Sequence, residues 1–175
     1  MSWKNFHIWR GRLPHWRADD VVYYVTFRHG RALESKERDD LLRALTRPSI
    51  GRPSIAIACV LPDKTELMCM IGTNVRGATV ELSQSIEKTK SKVGRAIMKR
   101  TGERFPPFYG ESYDRIVRDQ AEYEERWEAI LASPVEAGLA DEPDLYPYLF
   151  VSESPTGVRW DEDLEADDPP AQPGS

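Results

Sequence analysis

The 175 residues, of which 40% are hydrophobic and 30% charged, suffice for one domain of ordinary size with a buried core. No apolar run is long enough to cross a bilayer and no signal peptide is evident, so the sequence predicts a cytoplasmic protein without a membrane span. Two cysteines are too few for a disulfide-rich scaffold, and we expect both to be reduced core residues.

Charge is distributed unevenly along the chain, and the net charge of −5 conceals this. Residues 1–120 contain 22 Lys and Arg against 14 Asp and Glu, whereas residues 121–175 contain 2 against 15. A basic body attracts a phosphate backbone, and an acidic extension opposes that field. The distribution favours a nucleic-acid partner for the first part of the chain.

Residues 1–20 form a basic, aromatic-rich arm. Arginines beside tryptophans are typical of surfaces that contact phosphates and stack exposed bases, so we predict DNA contacts here. The candidate residues are Arg10, Arg12 and Arg17. The three histidines, His7, His15 and His29, lack the close spacing of a metal-binding pair.

A strand and a helix follow the arm. Residues 21–28 alternate β-branched and aromatic side chains with period two, which predicts a strand. Residues 34–45 place leucines among charged residues, and Pro48 comes shortly after them. This pattern predicts a helix that ends before the proline.

Two apolar runs at residues 54–61 and 66–71 are separated only by a short turn at residues 62–66. A tight turn predicts an antiparallel hairpin. The first run is apolar on both faces, so we expect that strand to be central and covered on both sides. Cys59 and Cys69 lie on the two arms of the hairpin, where they could be cross-strand neighbours.

The strongest helical pattern covers residues 79–100. Leu82, Ile86, Val93 and Ile97 recur with helical spacing and form one apolar stripe. Four basic residues form a second stripe on another face, which is either a further DNA contact or a solvated surface. They are Lys88, Lys92, Arg95 and Lys99.

The last part of the chain predicts one more helix and a tail. Asp119 precedes Glu122 by three residues, which indicates a helix start, and we expect this helix to run to about residue 132, before Pro134. Residues 152–175 combine few apolar residues with much acid and late prolines, which predicts disorder. This acidic tail is either a solubilising extension or a segment that competes with DNA for the basic surface.

The order of these elements predicts an α+β fold, a two-layer sandwich with a mostly antiparallel sheet. We expect this domain to occupy residues 21–151, between the arm (1–20) and the tail (152–175).

Five segments, spread in order over residues 10–150, carry a resemblance to a known family. They are RLPHW leading into VVYYVTFR, VLPDKTELMCM, the amphipathic stretch 78–100, FYGESYDRIVRD and SPVEAGLADEPDLYPY. In these segments the chain resembles the single-tyrosine HUH transposases, in particular the branch associated with repetitive extragenic palindromes (REP). The resemblance implies a mobile-element protein with a ferredoxin-like sheet and helices on one face. It also implies a homodimer whose substrate is single-stranded or hairpin DNA at palindromic repeats.

The turn after the second long strand departs from the family's pattern, Pro-Asn-His-x-His. Pro62 matches, but Lys64 and Glu66 stand where the resemblance implies two histidines that hold one divalent metal. An ammonium group has no lone pair for a metal and repels a cation. We therefore expect no resident cofactor and an ion pair between Lys64 and Glu66. In the alternative, Glu66 with Asp63 or Asp114 forms a carboxylate site for magnesium or manganese.

The resemblance also implies a tyrosine nucleophile that attacks a DNA phosphodiester. Tyr113 is the candidate, although Ser112 could occupy the catalytic position instead. A tyrosine hydroxyl with a pKa near ~10 needs activation, which the family's metal would supply. Otherwise Tyr113 is an ordinary half-buried aromatic residue with its hydroxyl in water.

The sequence therefore predicts a DNA-binding protein of the single-tyrosine transposase type that is impaired in metal-dependent cleavage. A third interpretation of Lys64 is that its ammonium holds a DNA phosphate at the altered position. Two alternatives to this function remain open: an active transposase or endonuclease with a carboxylate metal site, and a non-catalytic interaction or regulatory remnant.

Overall fold

The computed structural model describes residues 7–8, 16–17, 22–49, 52–71, 76–78 and 81–152. The strands are β1 (His7–Ile8), β2 (Trp16–Arg17), β3 (Val22–Arg28), β4 (Ser54–Val60), β5 (Lys64–Met70), β6 (Tyr113–Ile116) and β7 (Leu149–Val151). The helices are α1 (Ser35–Thr46), α2 (Leu82–Thr101) and α3 (Gln120–Glu136), with a 3₁₀ turn at Pro143–Leu145. In these ranges no helix has the length and apolarity that a membrane crossing requires. Most of the predicted arm and nearly all of the predicted tail lie outside the described residues.

Five strands form one antiparallel sheet in the order β6-β3-β5-β4-β7. The elements β3-α1-β4-β5-α2-β6 follow the βαββαβ order of a ferredoxin-like fold, with β3 and β5 adjacent at its centre. Strand β7 extends this sheet beside β4, and β1 pairs separately with β2. The predicted α+β class with an antiparallel sheet is confirmed.

The predicted hairpin between β4 and β5 is also confirmed. Leu61 N donates to Lys64 O at 2.9 Å and Val60 pairs with Thr65, so β5 begins two residues earlier than expected. Lys64 and Glu66 therefore belong to a strand and share one face, while Thr65 between them points to the other.

Alternation along β3 divides the core into two parts. Tyr23 and Phe27 pack with α1 and α2, whereas Val22 and Tyr24 pack with α3, whose Ile130 is fully buried. The expectation of helices on one face holds for α1 and α2 but not for α3. The reason is that β4 and β5 are apolar on both faces, and an uncovered second face would forfeit about 25 cal/mol per Å² of apolar surface.

A buried ion-pair network joins the start of α1 to the end of α2. The fully buried carboxylate of Glu37 accepts hydrogen bonds from the Arg31 guanidinium at 2.7 and 2.8 Å. Arg31 also donates to Glu103 at 2.7 Å, just after α2. The hydrogen bonds from Arg31 hold the pKa of Glu37 below its usual value, so the carboxylate stays charged in the fold.

Helix α3 begins as predicted, because the Asp119 side chain accepts from Glu122 N at 2.8 Å. It does not end before Pro134 but continues for two more residues, so the predicted end is wrong. The end is set by Gly138, which adopts a left-handed backbone (φ 70°). The N–H of the next residue then bonds to the Pro134 carbonyl at 2.9 Å, an arrangement that closes the last turn.

The two cysteines are free and buried, as expected for reduced core residues. They are not cross-strand neighbours: Cys59 pairs with Glu66, whereas Cys69 pairs with Ile55. The two thiols belong to the cores on opposite faces of the sheet. Burial raises the pKa of both thiols, that of Cys59 to about 12.

Candidate functional site

Two candidate side chains, Glu66 and Tyr113, lie in one row across the sheet with Thr26 between them. Thr26 in β3 pairs with Glu66 in β5 on one side and with Tyr113 in β6 on the other. Residues directly opposite one another in neighbouring strands point to the same face, here the face that α3 covers in part. Because strands lie about 4.8 Å apart, the backbones of Glu66 and Tyr113 are separated by roughly 10 Å.

A cavity of about 590 Å³ opens between these positions. Lys64 and Glu66 line one side of it, and Tyr109, Ser112 and Tyr113 line the other. The structure thus brings the altered family position and the candidate nucleophile to a single cavity, although they are 47 residues apart in the chain.

Both carboxylate oxygens of Glu66 accept hydrogen bonds. Lys64 Nζ lies 3.1 Å and Tyr24 Oη 3.3 Å from Oε1, while Ser133 Oγ in α3 lies 2.7 Å from Oε2. The Glu66 side chain is only 12% exposed. Burial, and then the Glu66 carboxylate, raise the pKa of the Tyr24 hydroxyl, so this group remains a donor. The expected ion pair between Lys64 and Glu66 is present, and its carboxylate is satisfied by protein donors.

The residues at this position do not fit a divalent metal. Nowhere in the described ranges do three His, Cys, Asp or Glu side chains group closely enough to hold an ion. Asp114 pairs with Val25 and therefore points to the opposite face of the sheet from Glu66. The ammonium of Lys64 lies 3.1 Å from Glu66 Oε1 and would repel a cation. Glu66 and Asp114 are therefore not placed to share one ion, whereas the alternative in which Asp63 joins Glu66 stays a prediction.

Tyr113 and Ser112 differ in their surroundings. Tyr113 belongs to β6, and this residue is 56% exposed. Ser112 is half-buried just before the strand, with its Oγ 3.3 Å from Lys90 Nζ. Both residues line the cavity, so position alone does not separate them as candidates.

Lys90 in α2 is a buried lysine that the sequence analysis did not single out. Its Nζ lies 3.3 Å from Gly110 O and 3.4 Å from Glu111 O, and 5.2 Å from the centre of the Phe27 ring. Burial lowers the pKa of this amine. The signal was present, because residue 90 falls four after Ile86 on the apolar side of the helix. Lys90 ties the loop that carries the cavity's tyrosines to α2.

His29 has a structural role beside the altered turn. Its Nδ1 lies 2.8 Å from Pro62 O and its Nε2 2.9 Å from Thr65 Oγ1. A carbonyl only accepts, so Nδ1 carries the proton and Nε2 accepts from the Thr65 hydroxyl. Burial lowers the pKa of the imidazole, which favours this neutral form. The turn is therefore held by a histidine that is not placed as a ligand.

The predicted basic stripe of α2 lies elsewhere. Its four residues are exposed on the side of α2 that faces away from the sheet, whereas Glu66 and Tyr113 are on the other face of the sheet. The structure thus separates Lys88, Lys92, Arg95 and Lys99 from the cavity. Arg10 and Arg12 lie outside the described residues, and Arg17 belongs to β2, of which only the backbone is described.

The fold and the cavity define a ferredoxin-like α+β domain with a polar site on the face of the sheet that α3 partly covers. Among solved structures, the chain is similar to that of a REP-associated tyrosine transposase bound to a REP hairpin. The TM-score is 0.54 at 13% sequence identity, over 79% of this chain and 81% of that one. No family model and no curated protein matches the sequence. At this identity the similarity shows the fold.

Proposed function

We propose that this protein binds single-stranded or hairpin DNA and does not cut it. The fold is similar to that of a transposase bound to a hairpin, and residues 1–120 carry the basic excess that a phosphate backbone attracts. The observation that carries the second half of the proposal is the hydrogen-bonded Lys64–Glu66 pair. An ammonium can contact a phosphate as a point charge but cannot supply a metal's geometry for cleavage.

Among the described residues, none near the cavity is placed to activate a nucleophile in place of a metal. Tyr113 has no base or metal ligand paired with its hydroxyl among the described residues. Helix α3 offers the hydroxyl of Ser133, and this group already donates to Glu66. A tyrosine or serine without such help is a poor nucleophile at neutral pH.

The test uses the full chain and a labelled palindromic hairpin. Fluorescence anisotropy should show binding that weakens steeply between about 50 and 200 mM salt. Incubation with Mg²⁺ or Mn²⁺ should leave the DNA intact, with no protein–DNA adduct on a denaturing gel. A 5′-linked adduct that disappears in Tyr113→Phe would instead establish the active transposase. Absence of binding at the lowest salt would favour the non-catalytic interaction remnant.

The proposal extends to a homodimer, to an origin in a mobile element and to a cytoplasmic location. The family resemblance supports the first two, and the sequence supports the third. Light scattering should return twice the 20.0 kDa mass of the chain, and a monomeric mass at micromolar concentration would remove the dimer from the proposal.

A further inference from the structure

Near its start, helix α3 carries two aromatic side chains one turn apart. The ring centroids of Tyr123 and Trp127 are 5.6 Å apart, with planes inclined by 31°. Both residues are half-buried and pack against the buried cluster that contains Ile130. Together with Glu124 and Glu128 they line a second cavity, of about 270 Å³. These four described residues form what we call the α3 groove.

The α3 groove lies on a strongly acidic surface. Glu124 and Glu128 are both exposed, and like charges four residues apart on a helix repel each other. Glu124 accepts from Gln120 Nε2 at 2.8 Å, whereas Glu128 has no hydrogen-bond or ion-pair partner within the described ranges. Residues 121–152 contain 8 Asp and Glu against 1 Arg. Such a surface repels DNA and attracts a cation that can also stack on the aromatic rings.

The basic arm, residues 1–20, can supply this cation. Residues 1–18 contain no acid and four basic residues, which are Lys4, Arg10, Arg12 and Arg17. The arm joins the described fold at Val22, whose carbonyl accepts from Val117 N at 2.9 Å, three residues before α3 begins. Val22 belongs to the same buried cluster against which the groove aromatics pack. The five residues from Arg17 to Val22 span up to about 18 Å, so the arm starts within reach of the α3 groove.

We propose that the arm docks on the α3 groove through one of its arginines. The guanidinium stacks on Tyr123 and Trp127 and pairs with Glu124 or Glu128. An arginine suits this groove better than a lysine, because its planar group is weakly hydrated and stacks on aromatic faces. The docking does not require the DNA binding proposed above, but it competes with that binding. An arginine held by α3 cannot at the same time contact a phosphate.

Limited digestion of the full chain with trypsin tests the docking. Mass spectrometry of the fragments gives the cleavage rates after Arg10, Arg12 and Arg17. Glu124→Gln with Glu128→Gln should raise the rate at the docked arginine roughly three- to tenfold, the factor that a cation–π contact and an exposed ion pair represent together. Trp127→Ala should also raise it. If Trp127→Ala unfolds, the glutamine pair, which changes only exposed side chains, decides the result.

The matched control is Glu125→Gln with Glu136→Gln. This pair removes two exposed acids of α3 that do not line the α3 groove, so the cleavage rates should stay at the wild-type value. Fluorescence anisotropy with a labelled hairpin provides a second comparison. DNA binding should tighten more in Glu124→Gln with Glu128→Gln than in the control pair, because only the groove variant releases the arm.

The outcomes separate this inference from the proposed function. Cleavage rates that are unchanged in the groove variants, or that rise equally in the control pair, refute the docking. Protection that increases with protein concentration would place a cation of a second copy in the α3 groove and overturn it too. Equal tightening of DNA binding in both glutamine pairs would refute the competition. If no hairpin binds at low salt, the proposed function fails, while the cleavage rates still decide whether the arm docks.

Discussion

The ammonium group of Lys64 limits what the neighbouring carboxylate of Glu66 can bind. Glu66 could serve a metal in isolation, but here its oxygens accept from Lys64, Tyr24 and Ser133. Each hydrogen bond to a charged group contributes about 1.5–3 kcal/mol, which an incoming ion would have to replace. The polar site is therefore closed by the protein's own donors.

Replacing both Lys64 and Glu66 by histidine should create a metal site. Positions i and i+2 of β5 share one face, so the two imidazoles would converge. The unfolding temperature of this double variant should rise on addition of Ni²⁺ or Mn²⁺, with a stabilisation of about 2.7 kcal/mol at a metal concentration of 100 Kd. Scanning fluorimetry measures the unfolding temperature. Lys64→His with Glu66→Gln is the single-imidazole control, and an equal rise in the wild type would show that Lys64 and Glu66 do not prevent metal binding.

Glu37 should be the carboxylate whose removal costs the most stability. Glu37→Gln removes the fully buried charge of the network and leaves Arg31 with only Glu103 as a carboxylate partner, so the free energy of unfolding should fall by about 3 kcal/mol near neutral pH. Because the folded pKa is lowered, this contribution is complete above the ordinary carboxyl pKa of about 4.3 and is lost as pH falls through the folded value.

Urea unfolding at about pH 7 and about pH 3 measures the loss of unfolding free energy in Glu37→Gln and its dependence on pH. The difference between the wild type and Glu37→Gln should shrink at the lower pH. Lys36→Ala is the control, because it removes an exposed i, i+4 pair with Asp40 and should cost less than about 0.5 kcal/mol. A Glu37→Gln difference that grows on acidification would show that the carboxylate is not charged in the fold.

Among the secondary-structure elements, α3 contributes a hydrogen-bond donor to the polar site. It crosses to the face opposite α1 and α2 and brings Ser133 to within 2.7 Å of Glu66 Oε2. Helix α3 also places Arg126 4.7 Å from the centre of the Tyr24 ring. The cavity is lined by β3, β5, β6 and the segment before β6, and α3 contributes none of its lining residues.

Gly138→Ala should destabilise the end of α3. The left-handed φ of 70° is costly for a residue with a Cβ, so we expect a loss of about 1 kcal/mol in the free energy of unfolding. Urea unfolding measures the loss. Gly110→Ala is the matched control, since that glycine has no positive φ and no atom within 4 Å of an added Cβ. Equal losses in both variants would argue against a specific role for Gly138.

At the scale of the whole molecule, the sheet separates two surfaces. The basic stripe of α2 and the cavity lie on opposite sides of it, so they should act independently on bound DNA. Each cation that contacts a phosphate contributes about 0.9 to the salt slope on a duplex, wherever it lies on the surface.

Lys92→Gln should therefore weaken binding of the palindromic hairpin and reduce the slope of log affinity against log salt by about 1. Anisotropy titrations over a range of salt provide the measurement. Lys36→Gln serves as the control, since this lysine is already paired with Asp40. An unaltered slope in Lys92→Gln would identify the stripe as a solvated face only.

Several features were predictable because they depend on local periodicity and on residue type. The alternation along residues 21–28, the tight turn before β5 and the apolar stripe of α2 fixed β3, the hairpin and the long helix, with boundaries correct to within a few residues. The prediction that α3 ends before Pro134 was wrong, because a proline is tolerated near the end of this helix, which Gly138 terminates. Lys90 was not singled out because lysine is rarely buried, even on the apolar side of a helix.

The amino-acid sequence by itself determined the α+β class and predicted the ion pair between Lys64 and Glu66, since both follow from local residue patterns. Only the tertiary structure decided that Ser133 bonds to Glu66, that Lys90 supports the tyrosine loop and that the basic stripe lies across the sheet from the cavity. These contacts join residues far apart in the chain or depend on which face each helix covers. These residues come together because helices bury both faces of the sheet. Local sequence patterns do not show which helix covers which face.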